Sequence, residues 1–308
     1  MSEELSRKSK LIKSIVAEFN SNPRFSSAFT PGSQSTKDEM DIQFNYPPHL
    51  KAERIDLPNF CMEKLTWDRE IKPTQNPSDF VVLHFHGGGY VAAMKRHYKM
   101  LAGLYSEVGR GATVVTVDYR VAPEHVFPAA FEDAITAYEW LLEEGYKGSQ
   151  IVLAGDSAGG GLAMALTHYI KSTYMPTPAG IVAMSPWADH TASGSSYKEN
   201  FDIDPVFGND RANLIMENPY VGDADPRDPR ISPLFGDFTG FPPMLIQAGT
   251  DEMLLSDSEG VAAKARSAGV RIRFTKYEGM FHVFQLCGTM MEESKHAWAE
   301  VKRFFEEI

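Results

Sequence analysis

The fold of this chain is decided by a ten-residue stretch, Ile151-Val152-Leu153-Ala154-Gly155-Asp156-Ser157-Ala158-Gly159-Gly160. Its apolar first half is typical of a buried strand, and the segment after the serine has the pattern of a helix. Between the two lies a sharp turn with Ser157 at its apex and a glycine two residues away on each side, where the absence of a Cβ relieves crowding. The pattern predicts an exposed serine hydroxyl with the first helical amides directed toward it.

A second glycine-rich stretch, His86-Gly87-Gly88-Gly89-Tyr90, follows an apolar run at 80–83 that predicts another buried strand. Successive glycines let backbone N–H groups approach a ligand closely. Acyl transfer needs such donors because negative charge builds up on the carbonyl oxygen. We therefore predict an oxyanion hole formed by the amides of Gly87, Gly88 and Ala158. A simple turn or a phosphate loop is the alternative, but neither GxxxxGK[ST] nor GxGxxG follows a strand here.

The third set of candidate residues lies in the C-terminal third of the chain. Residues 244–249 predict a buried strand, and Asp251 follows its end. Alternation over 270–275 predicts a strand with one exposed face, and His282 comes after it. We predict that Ser157 attacks a carbonyl, that His282 removes its proton, and that Asp251 orients the imidazole and stabilises its charged form. Glu252 and Asp257 are alternative acids because both are close to Asp251 in the sequence.

With these motifs the chain resembles the hormone-sensitive lipase family of α/β-hydrolases, in its microbial carboxylesterase branch. The order Ser157, Asp251, His282 is the one expected of α/β-hydrolases. The resemblance runs from about residue 60 to the C-terminus and extends to three further segments: 118–125, 127–130 and 185–187. It implies hydrolysis of carboxylic esters with no metal and no organic cofactor, and a cap of helices over the active site.

Alternating strand and helix patterns predict an α/β fold with a mostly parallel central sheet flanked by helices, and a site at the carboxyl ends of the strands. Two stretches interrupt the alternation. Residues 1–50 include the polar segment 21–36, and residues 188–240 are rich in Asp, Gly and Pro with one helical candidate at 210–217. We assign residues 1–50 to the N-terminal part of the cap, and 51–308 to the hydrolase core with a cap insertion at about 188–240. Apolar residues between Leu11 and Phe19 recur at helical spacing and predict a cap helix or a membrane-surface helix, of which the cap is favoured.

The composition of the chain argues against several classes of partner and location. A net charge of −11 argues against a nucleic acid partner, which requires a basic surface. No apolar run approaches the ~18 residues of a membrane span, and no signal peptide is apparent at the N-terminus. Cys61 and Cys287 are expected to be free thiols in a reducing compartment. The sequence therefore predicts a cytoplasmic enzyme acting on a small-molecule ester, away from membranes, with a homodimer left open.

Three other functions were weighed against a short-acyl carboxylesterase. His84 and His86 share one face of a strand and could bind zinc, but no further ligand motif accompanies them. An amidase or a lactonase would use the same catalytic residues. Because members of this fold can act as non-catalytic receptors of small molecules, the presence of candidates for all three catalytic residues is what favours an enzyme. Tyr90 and Trp187 are either part of the pocket wall or ordinary core residues.

Overall fold

The computed structural model describes residues 6–21, 44–209 and 213–308. Within them, eight strands form one sheet: β1 (Leu50–Asp56), β2 (Cys61–Trp67), β3 (Val81–Phe85), β4 (Thr113–Asp118), β5 (Ile151–Asp156), β6 (Gly180–Met184), β7 (Met244–Gly249) and β8 (Ile272–Tyr277). Their order across the sheet is β1-β2-β4-β3-β5-β6-β7-β8. The pairs β1/β2 and β2/β4 are antiparallel, and every other neighbouring pair is parallel.

The described helices are α1 (Arg7–Ser21), α2 (Arg96–Val108), α3 (Ala129–Glu143), α4 (Ala158–Ser172), α5 (Ser196–Glu199), α6 (Asn213–Met216), α7 (Leu255–Ser267) and α8 (Glu292–Glu307). Buried residues of α3, α4 and α7 pack on one face of the sheet, and those of α2 and α8 pack on the other. In β5, Ile151 and Leu153 point into the first of these layers, whereas Val152 and Ala154 point into the second. Such strands are apolar on both faces because a helix layer covers each side.

The architecture confirms the predicted α/β-hydrolase fold with a mostly parallel sheet between helices. The strands predicted from the apolar runs at 80–83, 151–154 and 244–249 are β3, β5 and β7. The C-terminal helix α8 buries an apolar side that includes Val301 and Phe304. The strands β1 and β2 were not predicted from the sequence. In β1 the reason is that most residues are exposed and charged side chains lie on both faces, so the strand has no apolar run.

Between β6 and β7 the chain leaves the regular alternation. Residues 188–240 contain α5, α6 and two single turns of 3-10 helix at Pro219–Val221 and Pro233–Phe235. The predicted helix at 210–217 is represented by α6, while 210–212 and most of the polar segment 21–36 lie outside the described residues. The division into a cap at 1–50 and 188–240 and a core elsewhere stays a prediction.

Two further features are the state of the cysteines and the length of the described helices. Cys61 and Cys287 are not joined in a disulfide. Among the helices that the structure describes, none is long and apolar enough to cross a bilayer.

Candidate active site

Ser157 occupies a strained turn between β5 and α4. Its φ of +52° and ψ of −122° lie in a region that residues with a Cβ rarely adopt. The close approach of neighbouring backbone explains the two glycines of the motif. A Cβ on Gly155 would lie 2.3 Å from the carbonyl carbon of Gly159, and one on Gly159 would lie 2.0 Å from the carbonyl oxygen of Phe85. The turn can therefore form only where both positions lack a side chain.

The structure brings His282 to this serine. The loop after β8 places His282 Nε2 2.9 Å from Ser157 Oγ, and the two residues are 7% and 4% exposed. The next residue holds the loop in place, since the Val283 N–H donates to Ser185 Oγ at 3.0 Å. The ring of Phe207 packs on the imidazole with its centroid 4.7 Å away. A hydroxyl at this distance can transfer its proton to the imidazole as it attacks a carbonyl.

The acid that faces the imidazole is Glu252, so the prediction of Asp251 is corrected. His282 Nδ1 lies 3.2 Å from Glu252 Oε2, and Glu252 is fully buried. Asp251 points to the other side of the turn, where its carboxylate pairs with Lys13 of α1. The backbone fixes this orientation, because the Asp251 N–H donates to the Met280 carbonyl at 2.9 Å. The carboxylate of the following residue is thereby directed at the histidine.

Burial controls the electrostatics of Glu252. Desolvation raises the pKa of its carboxyl, while the hydrogen bond and charge interaction with His282 act in the opposite direction. Side chains from the segment between β6 and β7 hold the surrounding backbone: Asn200 Nδ2 donates to the Glu252 carbonyl at 2.7 Å, and Met253 N–H donates to Asp204 Oδ2 at 2.7 Å. The buried carboxylate lies beside His282 Nδ1, where it can stabilise the positive charge that the ring gains on accepting a proton from Ser157.

The predicted oxyanion loop has the backbone that three glycines allow. Gly88 and Gly89 have φ values of +115° and +62°. Three side chains support the backbone of this loop. Tyr119 Oη donates to the His86 carbonyl at 2.6 Å, and His86 Nδ1 lies 2.6 Å from the Gly87 carbonyl. Asn218 Nδ2 donates to the Gly89 carbonyl at 2.7 Å. Asn218, which sequence reasoning missed, comes from the segment between β6 and β7.

The three amides proposed for the oxyanion hole differ in their surroundings. Ala158 is the first residue of α4, and the first amides of a helix have no partner within it. The Gly87 backbone forms a hydrogen bond that opposes the rise in the pKa of Tyr98 caused by burial. The Gly87 amide therefore has a hydrogen-bond partner, Tyr98, that would compete with an oxyanion. Gly88 is the next residue in the same loop. The assignment of Gly87, Gly88 and Ala158 stays a prediction.

His84 and His86 are both fully buried, and His86 supports this loop through its contact with the Gly87 carbonyl. His84 Nδ1 lies 3.3 Å from Thr116 Oγ1, and the His86 ring stacks on Tyr119 at 4.3 Å. Burial lowers the pKa of His86, so its neutral form is favoured. Among the described residues no three His, Cys, Asp or Glu side chains are grouped as metal ligands would be.

Tyr90 and Trp187 belong to a buried aromatic cluster next to the serine turn. Both are 1% exposed. Tyr90 stacks on Tyr220 with centroids 3.8 Å apart, and Trp187 stacks on His190 at 3.9 Å. The backbone N–H of Trp187 also donates to the Ser157 carbonyl at 2.9 Å. These two residues therefore pack as core that supports the serine turn, and their contact with substrate stays a prediction.

Comparisons with known proteins agree with this geometry. A family model described as the alpha/beta hydrolase fold matches residues 82–286. An acetyl-hydrolase of Streptomyces hygroscopicus is 38% identical over 217 residues, which is 70% of this chain and 72% of that protein. An esterase of Acinetobacter venetianus is 35% identical over 236 residues, covering 76% and 77% of the two chains.

Solved structures extend the similarity to the whole chain. A crystal structure of an esterase from the bacterial hormone-sensitive lipase family matches with a TM-score of 0.82 and 33% identity, covering 100% of this chain and 99% of that one. A mutant of the esterase E40 matches with a TM-score of 0.84 and 32% identity, covering 98% and 99%. The chain belongs to the α/β-hydrolase fold family, in its hormone-sensitive lipase branch.

Proposed function

We propose that this protein hydrolyses short-acyl carboxylic esters through Ser157, His282 and Glu252, with an acyl-enzyme intermediate on Ser157. Its class, a serine hydrolase acting on carboxylic ester bonds, is that of the relatives described above. The observation that carries the mechanism is the continuous contact from Ser157 Oγ to His282 Nε2 at 2.9 Å and from His282 Nδ1 to Glu252 Oε2 at 3.2 Å.

The proposed reaction has two halves. In the first, Ser157 Oγ attacks the ester carbonyl and its proton moves to His282 Nε2. The imidazolium, stabilised by Glu252, then returns this proton to the departing alcohol, which leaves an acyl group on Ser157. In the second half, His282 removes a proton from water, which attacks the acyl carbonyl, and the carboxylic acid is released. The amides of Gly88 and Ala158, with Gly87, would stabilise the oxyanion in each half.

Relatives with small substrates in their names support the short-acyl preference. One is the acetyl-hydrolase of Streptomyces hygroscopicus, and another is an ethyl acetate hydrolase of Pseudomonas putida that is 27% identical over 276 residues. Each added methylene gains about 0.8 kcal/mol of transfer free energy while it fits, and clashes once the pocket is full. We expect kcat/KM to be highest for acyl groups between acetyl and hexanoyl, and a maximum at twelve carbons or more would contradict this.

The nucleophile is tested by Ser157→Ala together with labelling by an organophosphate. Loss of the hydroxyl should lower kcat for p-nitrophenyl acetate by about four to six orders of magnitude, because the group proposed to carry the acyl intermediate is removed. Mass spectrometry of the wild-type protein should locate the organophosphate on Ser157. The control is incubation with EDTA, which should leave activity unchanged. Hydrolysis by Ser157→Ala near the wild-type rate, or an adduct at another residue, would remove Ser157 from the mechanism.

Lactones and amides remain alternative substrates for the same catalytic residues. A panel of matched acetyl esters, lactones and anilides would rank them by kcat/KM. A receptor without catalysis is the alternative of a different class, and it predicts binding of small esters with no turnover and no organophosphate adduct on Ser157.

A further inference from the structure

An ammonium group from the N-terminal helix lies between the loops that carry the proposed acid and base. Lys13 of α1 pairs with the carboxylate of Asp251, and its Nζ donates to the Gly279 carbonyl at 3.1 Å. The side chains of Lys13 and Asp251 are each 22% exposed, so the pair is partly shielded from solvent. Asp251 directly precedes Glu252, and Gly279 lies three residues before His282.

The same two loops are joined by their own hydrogen bonds. The N–H groups of Thr250 and Asp251 donate to the carbonyls of Tyr277 and Met280 at 3.0 Å and 2.9 Å. In return, the Gly279 N–H donates to Thr250 Oγ1 at 2.7 Å. The loop after β7, which carries Asp251 and Glu252, and the loop after β8, which carries Gly279 and His282, are called here the β7 loop and the β8 loop. Their hydrogen bonds join them into one unit, in which the positions of the proposed acid and base depend on each other. Lys13 contacts this unit from outside.

Helix α1 is anchored near both ends to neighbouring elements, and its apolar side packs on the β8 loop. Ser9, which is fully buried, donates to Glu293 Oε2 at 2.6 Å. Ile12 and Val16 pack against the cluster that contains Phe281 and Phe284. Near the other end, Asn20 Nδ2 donates to the Pro205 carbonyl at 3.1 Å, two residues before the phenylalanine that packs on His282. The helix thus holds Lys13 at a defined place beside the active site.

We propose that Lys13 is a positioning residue for catalysis: through Asp251 and Gly279 it clamps the acid loop to the base loop and fixes Glu252 relative to His282. The proposal rests on the catalytic role proposed above for Ser157, His282 and Glu252. Partly exposed ion pairs contribute little to global stability. A small displacement of a catalytic pair, by contrast, lowers the rate of the chemical step strongly. The clamp should therefore affect kcat far more than the melting temperature or KM.

The test compares Lys13→Met, Asp251→Asn and the double variant, with Lys8→Met as the matched control. Lys8 is an exposed lysine on the same helix, and its charge acts on Glu292 instead. We expect each single variant to lose about tenfold in kcat, since geometry is loosened but no reacting group is removed. KM should change by less than about twofold and Lys8→Met should match the wild type in both constants.

The pH dependence separates a clamp from a general loss of structure. Of the charged groups on the elements packed against the imidazole, Glu252 contacts the ring directly. Asp204 acts on Glu252 from the segment before β7, and the Asp251–Lys13 pair lies beside the same turn. Lys13→Met leaves the negative charge of Asp251 uncompensated and should move the acidic limb of the kcat/KM profile to higher pH. Asp251→Asn leaves the positive charge of Lys13 uncompensated and should move the acidic limb to lower pH. A single charge roughly 10 Å away in a medium close to water shifts the limb by about 0.3 pH unit.

The double variant and a charge exchange complete the experiment. Lys13→Met/Asp251→Asn should return the acidic limb to its wild-type position but keep the low kcat. Lys13→Asp/Asp251→Lys should recover kcat relative to either single variant, because the pair is restored with opposite polarity. A wild-type kcat in Lys13→Met and Asp251→Asn, with Ser157→Ala inactive, would overturn the clamp and leave the proposed function standing. Activity retained in Ser157→Ala would instead overturn the proposed function itself.

Discussion

Replacing Glu252 by glutamine tests the most consequential difference between sequence and structure. The amide keeps the size of the side chain and can still accept a hydrogen bond from His282 Nδ1, but it carries no charge. At the observed separation of 3.2 Å and an effective dielectric constant of about 20, a carboxylate stabilises an imidazolium by about 5 kcal/mol. That energy corresponds to a loss of about 10³ to 10⁴ in kcat, similar to the ~10⁴ loss when the triad aspartate of a serine protease becomes asparagine.

The assay is steady-state hydrolysis of p-nitrophenyl acetate by Glu252→Gln and Asp251→Asn, with the melting temperature of each variant measured in parallel. Because Asp251 contacts Lys13 and does not face the imidazole, Asp251→Asn should lose only about tenfold, the cost of loosened geometry. The reasoning would be refuted if Asp251→Asn lost more activity than Glu252→Gln while both variants remained folded. A Glu252→Gln variant that stayed within tenfold of the wild type would equally exclude Glu252 as the partner of His282.

Two further predictions concern residues outside the catalytic three. Asn218→Asp keeps an acceptor for the Tyr220 N–H but removes the donor to the Gly89 carbonyl. We expect kcat/KM to fall about tenfold, which is less than the 10²- to 10³-fold loss caused by removing an oxyanion-hole donor itself. An unchanged kcat/KM would show that this contact does not hold the glycine loop. Burial raises the pKa of Asp257 well above its ordinary 3.8, so the folded protein binds that proton more tightly than the unfolded chain, and the free energy of unfolding should fall as pH rises above that value. Urea unfolding of Asp257→Asn and the wild type at pH 5 and pH 8 should show a stability difference that grows in favour of the variant with pH, and a constant difference would contradict the argument.

The positions of Ser157 and His282, the proposed nucleophile and base, could be predicted from local sequence because they follow from backbone chemistry. A serine between two glycines at the end of an apolar strand specifies the strained turn, since the neighbouring backbone leaves no space for a Cβ at Gly155 or Gly159. His282 follows the last strand of a parallel sheet, and the carboxyl ends of such strands meet at one edge. The structure indeed brings His282 within 2.9 Å of the serine.

The acid could not be chosen in the same way. Asp251 and Glu252 are adjacent carboxylates at the end of β7, and nothing in their spacing distinguishes them. The choice depends on the Asp251 backbone, which pairs with the Met280 carbonyl, and on Lys13, which lies 238 residues earlier in the chain and attracts the first carboxylate. Both contacts arise only when α1 and the β8 loop have packed together.

By itself, the sequence determined the α/β class, the parallel core of the sheet, the serine turn and the histidine, because each of these follows from hydrophobic periodicity or from a turn that admits only glycine. The tertiary structure alone decided three things: the acid, the antiparallel strands β1 and β2, and the support of the glycine loop by Asn218. Each depends on contacts between segments distant in sequence, where the partner and not the local pattern sets the geometry. Side-chain direction at one turn was enough to place Glu252, and not Asp251, beside His282.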